Sequence, residues 1–379
     1  MRQQQSTSSG RWSGRVHTSR RARHFPAVTA AVAATAAALT LGLAGCGPAS
    51  PSPAGPSGRD SGTSDQTVKL VTHGSFSLSE DVQAEFTKQT GLKLEVLPSD
   101  DAGAMVNQLI LTKDAPLGDA VFGIDNTFAS RAIVEGILEP YASPAAGPEQ
   151  DEYAAGLEEQ LTAIDFSDVC INVDLRQIPE GADLTFDDLL KPEFRDQLVV
   201  ENPSTASPGL AFLLATIAAK GEDGYLDYWR QLKANGVKVV SGWNEAYYSE
   251  FSGPSSSGQR PLVVSYASSP PSEIPDDAAQ PVTAAALNTC FRQVEYAGVL
   301  KGAANPEGAR KLVDFLLSAA VQADIPGQMW VYPVKQDVSL PEDWAKWAPL
   351  ADRPWTVPPE DITNARERWL AEFTDQILG

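Results

Sequence analysis

The chain has 379 residues, 42% of them apolar, with a net charge of −20 and three cysteines. This length suffices for two domains or one large two-lobed body with a sizeable core. Six of the 29 basic residues and none of the 49 acidic residues lie in the first 45 positions, so the remainder is strongly acidic. That charge argues against nucleic acid as a partner and is typical of an exported protein that could attract a cationic ligand.

Residues 1–45 have the pattern of a lipoprotein signal peptide. Arginines between Arg11 and Arg23 precede an Ala-rich apolar run, Phe25–Leu43, which ends in Leu43-Ala44-Gly45-Cys46. Small residues before a cysteine are typical of a bacterial lipobox, so we expect Cys46 to be lipidated and to anchor the exported protein at the outer face of the cell membrane. A plain transmembrane anchor is the alternative, and Arg20-Arg21 leaves the choice between general secretory and twin-arginine export open.

Residues 46–66 are rich in Pro, Ser and Gly and lack apolar periodicity. Such a composition predicts a flexible tether. About twenty flexible residues have a typical reach of about 25 Å. The body can therefore lie near the membrane and contact it only through the lipid anchor.

The first hundred residues of the body predict alternating strands and helices. The predicted strands are Thr67–Thr72, Leu92–Leu97 and Asp119–Ile124, with helices over 79–89, after 100–101 and from 126 or 127 to 136. This alternation is typical of a parallel sheet covered by helices. Ligands bind such sheets at the carboxyl ends of the strands, which here are residues 73–76, 99–102 and 125–126.

Two long extended segments, Ile164–Val173 and Phe291–Leu300, flank a second α/β unit. That unit has predicted strands at Leu198–Val200, Val237–Val240 and Leu262–Tyr266, and the last two are expected to belong to a second sheet. Helices are predicted over 305–321 and, amphipathic, over 359–378. Two crossing segments predict an α/β fold of two lobes with two hinge strands and a cleft between the lobes. Lobe 1 comprises residues 67–168 with 291–379, including a helical C-terminal tail, and lobe 2 comprises residues 169–290.

Cysteine usage predicts one disulfide bond. With Cys46 lipidated, Cys170 and Cys290 remain as a pair in an oxidising compartment, and both lie in strand-like runs. A bond between them closes a loop of about 120 residues and would stabilise the fold by roughly 4–5 kcal/mol in the chain-entropy model. The alternative is two unpaired, buried thiols.

Sequence signatures of catalysis are few. Once the signal peptide is removed, His73 is the one histidine that remains. The sequence has no G-x-S-x-G elbow, P-loop or G-x-G-x-x-G motif. One histidine and a cysteine pair do not make an ordinary zinc site. We therefore predict a protein that is not an enzyme and holds neither cofactor nor metal, with an exported two-carboxylate hydrolase as the alternative.

Aromatic residues cluster after two of the predicted strands. Trp243, Tyr247 and Tyr248 follow Val237–Val240, and Tyr266 ends Leu262–Tyr266. Aromatics at strand ends beside Gly, Ser and Asn suit a cleft for a flat, cationic small molecule, and core packing is the alternative. The adjacent pair Tyr247-Tyr248 could also ligate ferric iron as phenolates.

The blocks Ser241–Tyr247 and Val264–Pro270 resemble the thiamine-binding subunit of bacterial thiamine ABC importers. Four further blocks in consistent order support the resemblance: Asp119–Asn126, Asn202–Leu210, Gln293–Glu295 and Met329–Val334. The resemblance implies a type II periplasmic-binding-protein fold. It also implies a monomeric protein that delivers thiamine, thiamine monophosphate or thiamine diphosphate to the permease of an ABC importer.

By position, the resemblance places ligand-binding residues at Asp101, Ala102, Ala206, Ser207, Trp243, Tyr266, Ala267, Ser268, Ser269 and Pro270. Trp243 and Tyr266 would offer π faces to the pyrimidine and the thiazolium cation. Asp101 and Asp125 would supply negative charge, and Ser207, at a helix start, could receive a hydroxyl or a phosphate.

His73 and Tyr247 are further candidates. His73 and Ser272 stand where the family has aromatic residues, which leaves the phosphorylation state of the ligand open. A ferric-iron or polyamine-binding protein of the same fold remains the alternative.

Overall fold

The computed structural model describes residues 66–379 except 155 and 158. The predicted signal peptide over 1–45, the lipidation site Cys46 and the tether up to residue 65 lie outside the described residues. Within the described part, no helix combines the length and apolarity needed to cross a bilayer.

Ten strands of the described part form one hydrogen-bonded sheet. They are β1 (Thr67–Thr72), β2 (Lys93–Pro98), β3 (Ala120–Asp125), β4 (Leu138–Glu139), β5 (Thr162–Asp174), β6 (Leu198–Glu201), β7 (Lys238–Val240), β8 (Leu262–Tyr266), β9 (Thr283–Leu300) and β10 (Tyr332–Pro333). The order is β2-β1-β3-β9-β5-β8-β6-β7, with β4 paired to β9 and β10 to β5.

The sheet has two parallel parts joined by two long strands. In the first part β1 runs parallel to β2 and β3, and in the second β6 runs parallel to β7 and β8. The antiparallel pair β9-β5 lies between them, with β9 antiparallel to β3 and β5 antiparallel to β8. We call β2-β1-β3 the first half and β8-β6-β7 the second half.

The predicted second sheet is wrong. Strands β7 and β8 belong to the same sheet as β1, because the 13-residue strand β5 pairs with β9 along one edge and with β8 along the other. All of β5 is buried, as expected for a strand with neighbours on both edges. The predicted lobe boundaries stay predictions.

Helices cover the sheet. In the described residues they are α1 (Glu80–Thr90), α2 (Ala102–Leu111), α3 (Ala129–Val134), α4 (Glu149–Tyr153), α5 (Ser207–Lys220), α6 (Tyr225–Ala234), α7 (Trp243–Glu245), α8 (Pro306–Leu316), α9 (Ala319–Gln328), α10 (Trp344–Trp347) and α11 (Pro359–Phe373). A π-helical turn, Ala246–Glu250, continues α7, and another, Thr374–Leu378, continues α11.

Local capping signals explain several helix boundaries. The Ser79 hydroxyl accepts the Val82 amide at the start of α1, and Gly91 ends the helix with φ 73°, both as predicted. The helix predicted over 305–321 is wrong in length, because Ser318 caps a new helix, α9, through the Val321 amide. Two shorter helices therefore replace one.

The predicted Cys170–Cys290 disulfide is confirmed. It joins β5 to β9 across 120 residues of sequence, in a small buried cluster with Ala267, Ala285 and Ala351. The predicted alternative of two free thiols is therefore wrong.

The C-terminal helix α11 contacts both halves. The Arg366 guanidinium lies 4.5 Å from the centre of the Phe128 ring, just before α3, and the Phe373 ring meets Trp229 of α6 edge-on at 4.8 Å. The predicted helical tail therefore packs against elements that follow β3 and β6.

Candidate ligand-binding site

A cavity of about 450 Å³ lies beside the ends of the parallel strands. Its lining segments follow β1, β2, β6, β7 and β8, and Glu295 of β9 and residues 329–331 complete it. The strand ends that the sequence indicated on the first half, residues 73–76 and 99–102, both contribute. The third, residues 125–126, does not line the cavity.

One side of the cavity is an aromatic wall made of Trp243, Tyr247, Tyr248 and Tyr266. The Trp243 and Tyr247 rings stack at 4.8 Å with 19° between their planes, so Tyr247 covers one face of the indole. Tyr248 meets Trp243 edge-on at 5.4 Å, and the Tyr266 ring lies tilted at 6.2 Å. The indole N–H donates to the Ser265 hydroxyl at 2.9 Å, which fixes the orientation of the ring. Stacked rings of this kind present π faces to a flat ligand.

Asp101 lines the cavity and links segments of the two halves. Its Oδ1 accepts the amides of Ala102 at 2.7 Å and Ser207 at 3.0 Å, and its Oδ2 accepts the Trp243 amide at 3.0 Å. These amides begin helices α2, α5 and α7, where a negative charge is favoured. Burial raises the pKa of the Asp101 carboxyl, although the three N–H bonds oppose that shift.

Ser207 lies at a helix start, as expected, but as the first residue of α5 and not as its N-cap, which is Ala206 and makes no side-chain hydrogen bond. The Ser207 hydroxyl donates a hydrogen bond to Asp125 Oδ2 and accepts one from the Gln293 side-chain amide. Asp125 is fully buried and also accepts the Thr127 and Phe128 amides. Burial raises the pKa of its carboxyl against these hydrogen bonds. Asp125 thus does not line the cavity but positions Ser207, which does. The sequence had predicted that Asp125 itself would face a ligand.

His73 and Glu295 also line the cavity and form an ion pair, with Nε2 3.3 Å from Oε1 and the two side chains only 13% and 10% exposed. Burial alone lowers the pKa of the imidazole, but the Glu295 carboxylate, with help from Asp101 and Asp125, raises it above its ordinary value. For Glu295 burial acts to raise the pKa of the carboxyl. The charge and hydrogen bond of His73 have the larger effect, so the pKa of Glu295 lies below its ordinary value. We call His73, Asp101 and Glu295 the charged wall.

Strand register explains the burial of Glu295 among acids. Glu295 of β9 is the partner of Asp125 on β3 and of Asp165 on β5, so three neighbouring strands place three carboxyls in one row. Burial, and then the Glu295 charge, raise the pKa of Asp165 well above its ordinary value. The row of carboxyls therefore favours the neutral form of Asp165, whereas His73 favours the ionised form of Glu295.

The segment 329–331 closes the cavity, and sequence analysis missed it as a site element. Trp330 has φ 58°, a left-handed backbone that is uncommon for a side chain of this size. Its ring stacks against Trp344 at 6.3 Å and is still 37% exposed. The only sequence signal was its place in the block Met329–Val334.

Most predicted site residues lie at the cavity. Those on the wall are His73, Asp101, Ala102, Ser207, Trp243, Tyr247, Tyr266 and Ser269. Those buried without lining it are Ala206, Ala267, Ser268, Pro270 and Asp125. Ser268, for example, shares a hydrogen bond of 2.9 Å with Ser167 of β5.

Glu295 lines the cavity and was not predicted as a site residue. Alternation along a strand places Gln293 and Glu295 on the same side, so the quoted block Gln293–Glu295 carried a usable signal. Tyr248 and Ser272 also line the cavity. Among the described residues, no group of three or more His, Cys, Asp and Glu side chains is placed to hold a metal ion.

Comparison with known proteins identifies the family. The family described as "Bacterial extracellular solute-binding protein" matches residues 117–356, more than half of the chain. The chain belongs to this family. Members of the family bind a small solute outside the cytoplasm, deliver it to the permease of an ABC transporter and are not enzymes.

Individual relatives of this solute-binding protein have different ligands. The thiamine-binding periplasmic protein of Salmonella typhimurium is 26% identical over 295 residues, which cover 77% of this chain and 86% of the relative. A solved periplasmic thiamin-binding protein superposes with a TM-score of 0.72 at 24% identity, covering 82% of this chain and 96% of its own. The apo ferric ion-binding protein A of Pasteurella haemolytica superposes with a TM-score of 0.61 at 15% identity, covering 82% of this chain and 97% of its own. These similarities confirm the predicted type II periplasmic-binding-protein fold.

Proposed function

We propose that this solute-binding protein captures thiamine, or one of its phosphate esters, and delivers it to the permease of an ABC importer. The observation that carries the proposal is the pairing of two unlike walls in one cavity. Trp243, stacked on Tyr247, lines the same cavity as the Asp101 and Glu295 carboxylates. A flat, permanently cationic heterocycle matches both, because π faces and carboxylates each attract such a cation.

The thiamine-binding relatives support this choice of ligand, since they cover most of the chain in sequence. The ferric-binding relatives share the fold, and tyrosines are available in the cavity for that chemistry. The Tyr247 ring, however, is stacked on Trp243 and only 2% exposed. This favours a structural role for Tyr247 over phenolate ligation of iron.

Ligand binding would act by closure of the cleft. Asp101 follows β2 in the first half, whereas its partners Ser207 and Trp243 begin helices of the second half. A ligand that contacts both walls shifts an ensemble of open and closed forms toward the closed one. The body would work as a monomer, tethered through lipidated Cys46, and would catalyse no reaction.

Tryptophan fluorescence tests the proposal. Thiamine at micromolar concentration should quench the emission of the purified protein, because a stacked thiazolium lies against Trp243. Trp243→Phe should abolish most of this quenching, whereas Trp355→Phe, which alters a tryptophan outside the cavity lining, should leave it intact. Native mass spectrometry of the protein as purified should show the mass of a bound ligand.

The same titration with ferric citrate and with spermidine distinguishes the alternatives. Binding of either, without any response to thiamine, would refute the proposal. A visible charge-transfer band with ferric ion would identify phenolate ligation. Turnover of a phosphate ester by the purified body would instead support the hydrolase alternative.

A further inference from the structure

The two most exposed large apolar side chains of the described residues lie on adjoining helix ends, outside the cavity lining. Leu111, at the end of α2, is 86% exposed, and Val134, at the end of α3, is 74% exposed. The two helix ends adjoin, because Lys113 Nζ lies 3.2 Å from Glu135 Oε2. A single exposed apolar side chain is ordinary, whereas neighbouring ones indicate a contact surface.

This patch lies where the strands of the first half begin. Helix α2 runs from the carboxyl end of β2 back to the start of β3, and α3 ends just before β4, which pairs with β9 beside that start. An open groove of about 560 Å³ lies along the loop after α2, with Thr67, Leu117 and Gly302 among its lining residues. We call this groove, together with Leu111, Leu117 and Val134, the amino-end face. The cavity lies at the opposite ends of the same strands.

The chain enters the body at the amino-end face. Thr67, the first residue of β1, lines the groove, and the predicted lipidation site Cys46 precedes it in the sequence. A tether of about twenty residues has a typical reach of about 25 Å and holds the body at an effective concentration on the order of millimolar beside the membrane. A contact that is too weak to persist in free solution is therefore populated in the anchored protein.

Charge does not oppose an approach of this face to lipid. Exposed basic and acidic side chains are balanced along it, whereas the chain after residue 45 is strongly acidic. The basic ones are Lys93, Lys113 and Lys301, and the acidic ones are Glu95, Asp114 and Glu135. Lysine stems can also lie on apolar surface while their ammonium groups reach lipid phosphates.

We infer that the amino-end face contacts the surface of the lipid bilayer in which the protein is anchored. This inference rests on the anchoring through Cys46 in the proposed function, and it adds a second contact to the anchor that the sequence predicts as the one link to the membrane. Leu111, Leu117 and Val134 reach the boundary between head groups and acyl chains. Because the cavity lies at the opposite ends of the strands, it stays open to solute during the contact.

Fluorescence quenching by nitroxide-labelled lipid tests the inference. The mature chain, lipidated at Cys46, is reconstituted in vesicles of equimolar phosphatidylethanolamine and phosphatidylglycerol. With Cys170 bonded to Cys290, one introduced cysteine gives a single labelling site. A fluorophore at Ala115→Cys, on the face, should be quenched roughly threefold more than one at Leu378→Cys, which is exposed beside α6 of the second half.

Two variants show which side chains make the contact. Leu111→Ser with Val134→Ser alters exposed groups only, so Tm and thiamine affinity should stay unchanged. Quenching at residue 115 should fall to the level at residue 378. Leu340→Ser, the matched change at an exposed leucine outside the face, should leave the quenching as it is.

Equal quenching at the two labelled sites, unaltered quenching in the double variant, or a mature chain without lipid on Cys46 would refute the inference. Quenching that requires the importer in the vesicle would assign the face to a protein partner and refute it as well. Thiamine binding is measured separately on the same preparations. Its absence would refute the proposed ligand and leave the membrane contact standing.

Discussion

The two walls of the cavity are stabilised in different ways. The aromatic wall lies on a small apolar cluster, in which Tyr247 is buried with Phe251 and Val263 and Trp243 packs against them. The charged wall consists of ionisable groups that are buried next to one another, with His73 and Glu295 paired and Asp101 held by amides. The structure of the aromatic wall depends on apolar packing, and the charge of the charged wall depends on the protonation of its side chains.

This difference has a functional consequence. A wall fixed by apolar packing is preorganised, so a ligand that stacks on it loses little affinity to ordering of the protein. A wall of coupled charges changes with pH and with the charge of the ligand. We therefore expect the aromatic wall to contribute affinity and the charged wall to contribute selectivity.

The largest effect should come from the covalent link behind the aromatic wall. Cys170 is the cross-strand partner of Ser265, the residue before Tyr266, and the disulfide joins β5, the strand on which β8 pairs, to β9. The double change Cys170→Ala with Cys290→Ala should lower the free energy of unfolding by roughly 4–5 kcal/mol, because the unfolded chain loses a 120-residue loop constraint. Denaturant unfolding at matched m-values measures the loss.

Ligand affinity of the folded double variant should stay near that of the parent, because neither cysteine lines the cavity. A thiol count on denatured, unreduced parent protein should find no thiol from these two positions. A loss of stability below about 1 kcal/mol would show that strand pairing alone holds the aromatic wall.

Trp243 should dominate affinity. Trp243→Ala removes the stacking face and should weaken thiamine binding roughly 10- to 100-fold, which corresponds to about 1.4–2.7 kcal/mol. Trp243→Phe retains a π face and loses only the hydrogen bond to Ser265, so its loss should be smaller. Calorimetric Kd values give the comparison, and thermal unfolding provides the control. A large fall in Tm without a change in Kd would mean that Trp243 belongs to the core.

The features that the sequence predicts correctly are those with a local signal. Trp243 follows the short strand β7, Tyr266 ends the short strand β8, and the caps Ser79 and Gly91 act within one helix. The two cysteines were paired from their number and their strand-like surroundings. Each of these predictions needed only neighbouring residues or a simple count, which explains why the aromatic wall was found early.

The charged wall required information that a single sequence does not contain. Glu295 meets Asp125 and Asp165 only because of the register of β3, β9 and β5, and these strands are far apart in the chain. The single continuous sheet was missed for the same reason, since pairing of β5 with β8 is a long-range choice. His73 was predicted as a candidate site residue after β1, but its partner Glu295 could not be named from the sequence.

The His73–Glu295 pair should make binding dependent on pH. Below the ordinary His pKa of 6.5 the imidazolium neutralises Glu295, and above its raised pKa in the folded protein Glu295 is left uncompensated. Affinity for a cation should therefore rise as pH increases through the folded pKa of His73. Stability should move in the opposite direction, because the pair stabilises the fold only while His73 is protonated. Titrations and unfolding curves across this range measure both trends.

Two variants isolate the pair. Glu295→Gln should lower the pKa of His73, seen by NMR of the imidazole, and weaken cation binding roughly tenfold. His73→Gln should bind without this pH dependence and retain the charge of Glu295. If ligand binding by His73→Gln still depends on pH, another group is responsible for the dependence. Asp101 would then be tested first, because burial raises the pKa of its carboxyl as well.

The smallest effect should come from Tyr248, which marks the outer edge of the aromatic wall. Its side chain is 46% exposed and meets Trp243 only edge-on. Tyr248→Ala should weaken binding by about threefold or less, since an exposed edge contact contributes on the order of 0.5 kcal/mol. Tyr247→Phe, the matched change at the buried neighbour, removes only the hydroxyl and keeps the ring stacked on Trp243, so it should leave affinity unchanged. A loss for Tyr248→Ala as large as that for Trp243→Ala would extend the ligand-contacting surface to the rim. The ligand would then be held by three aromatic rings instead of by Trp243 and Tyr266.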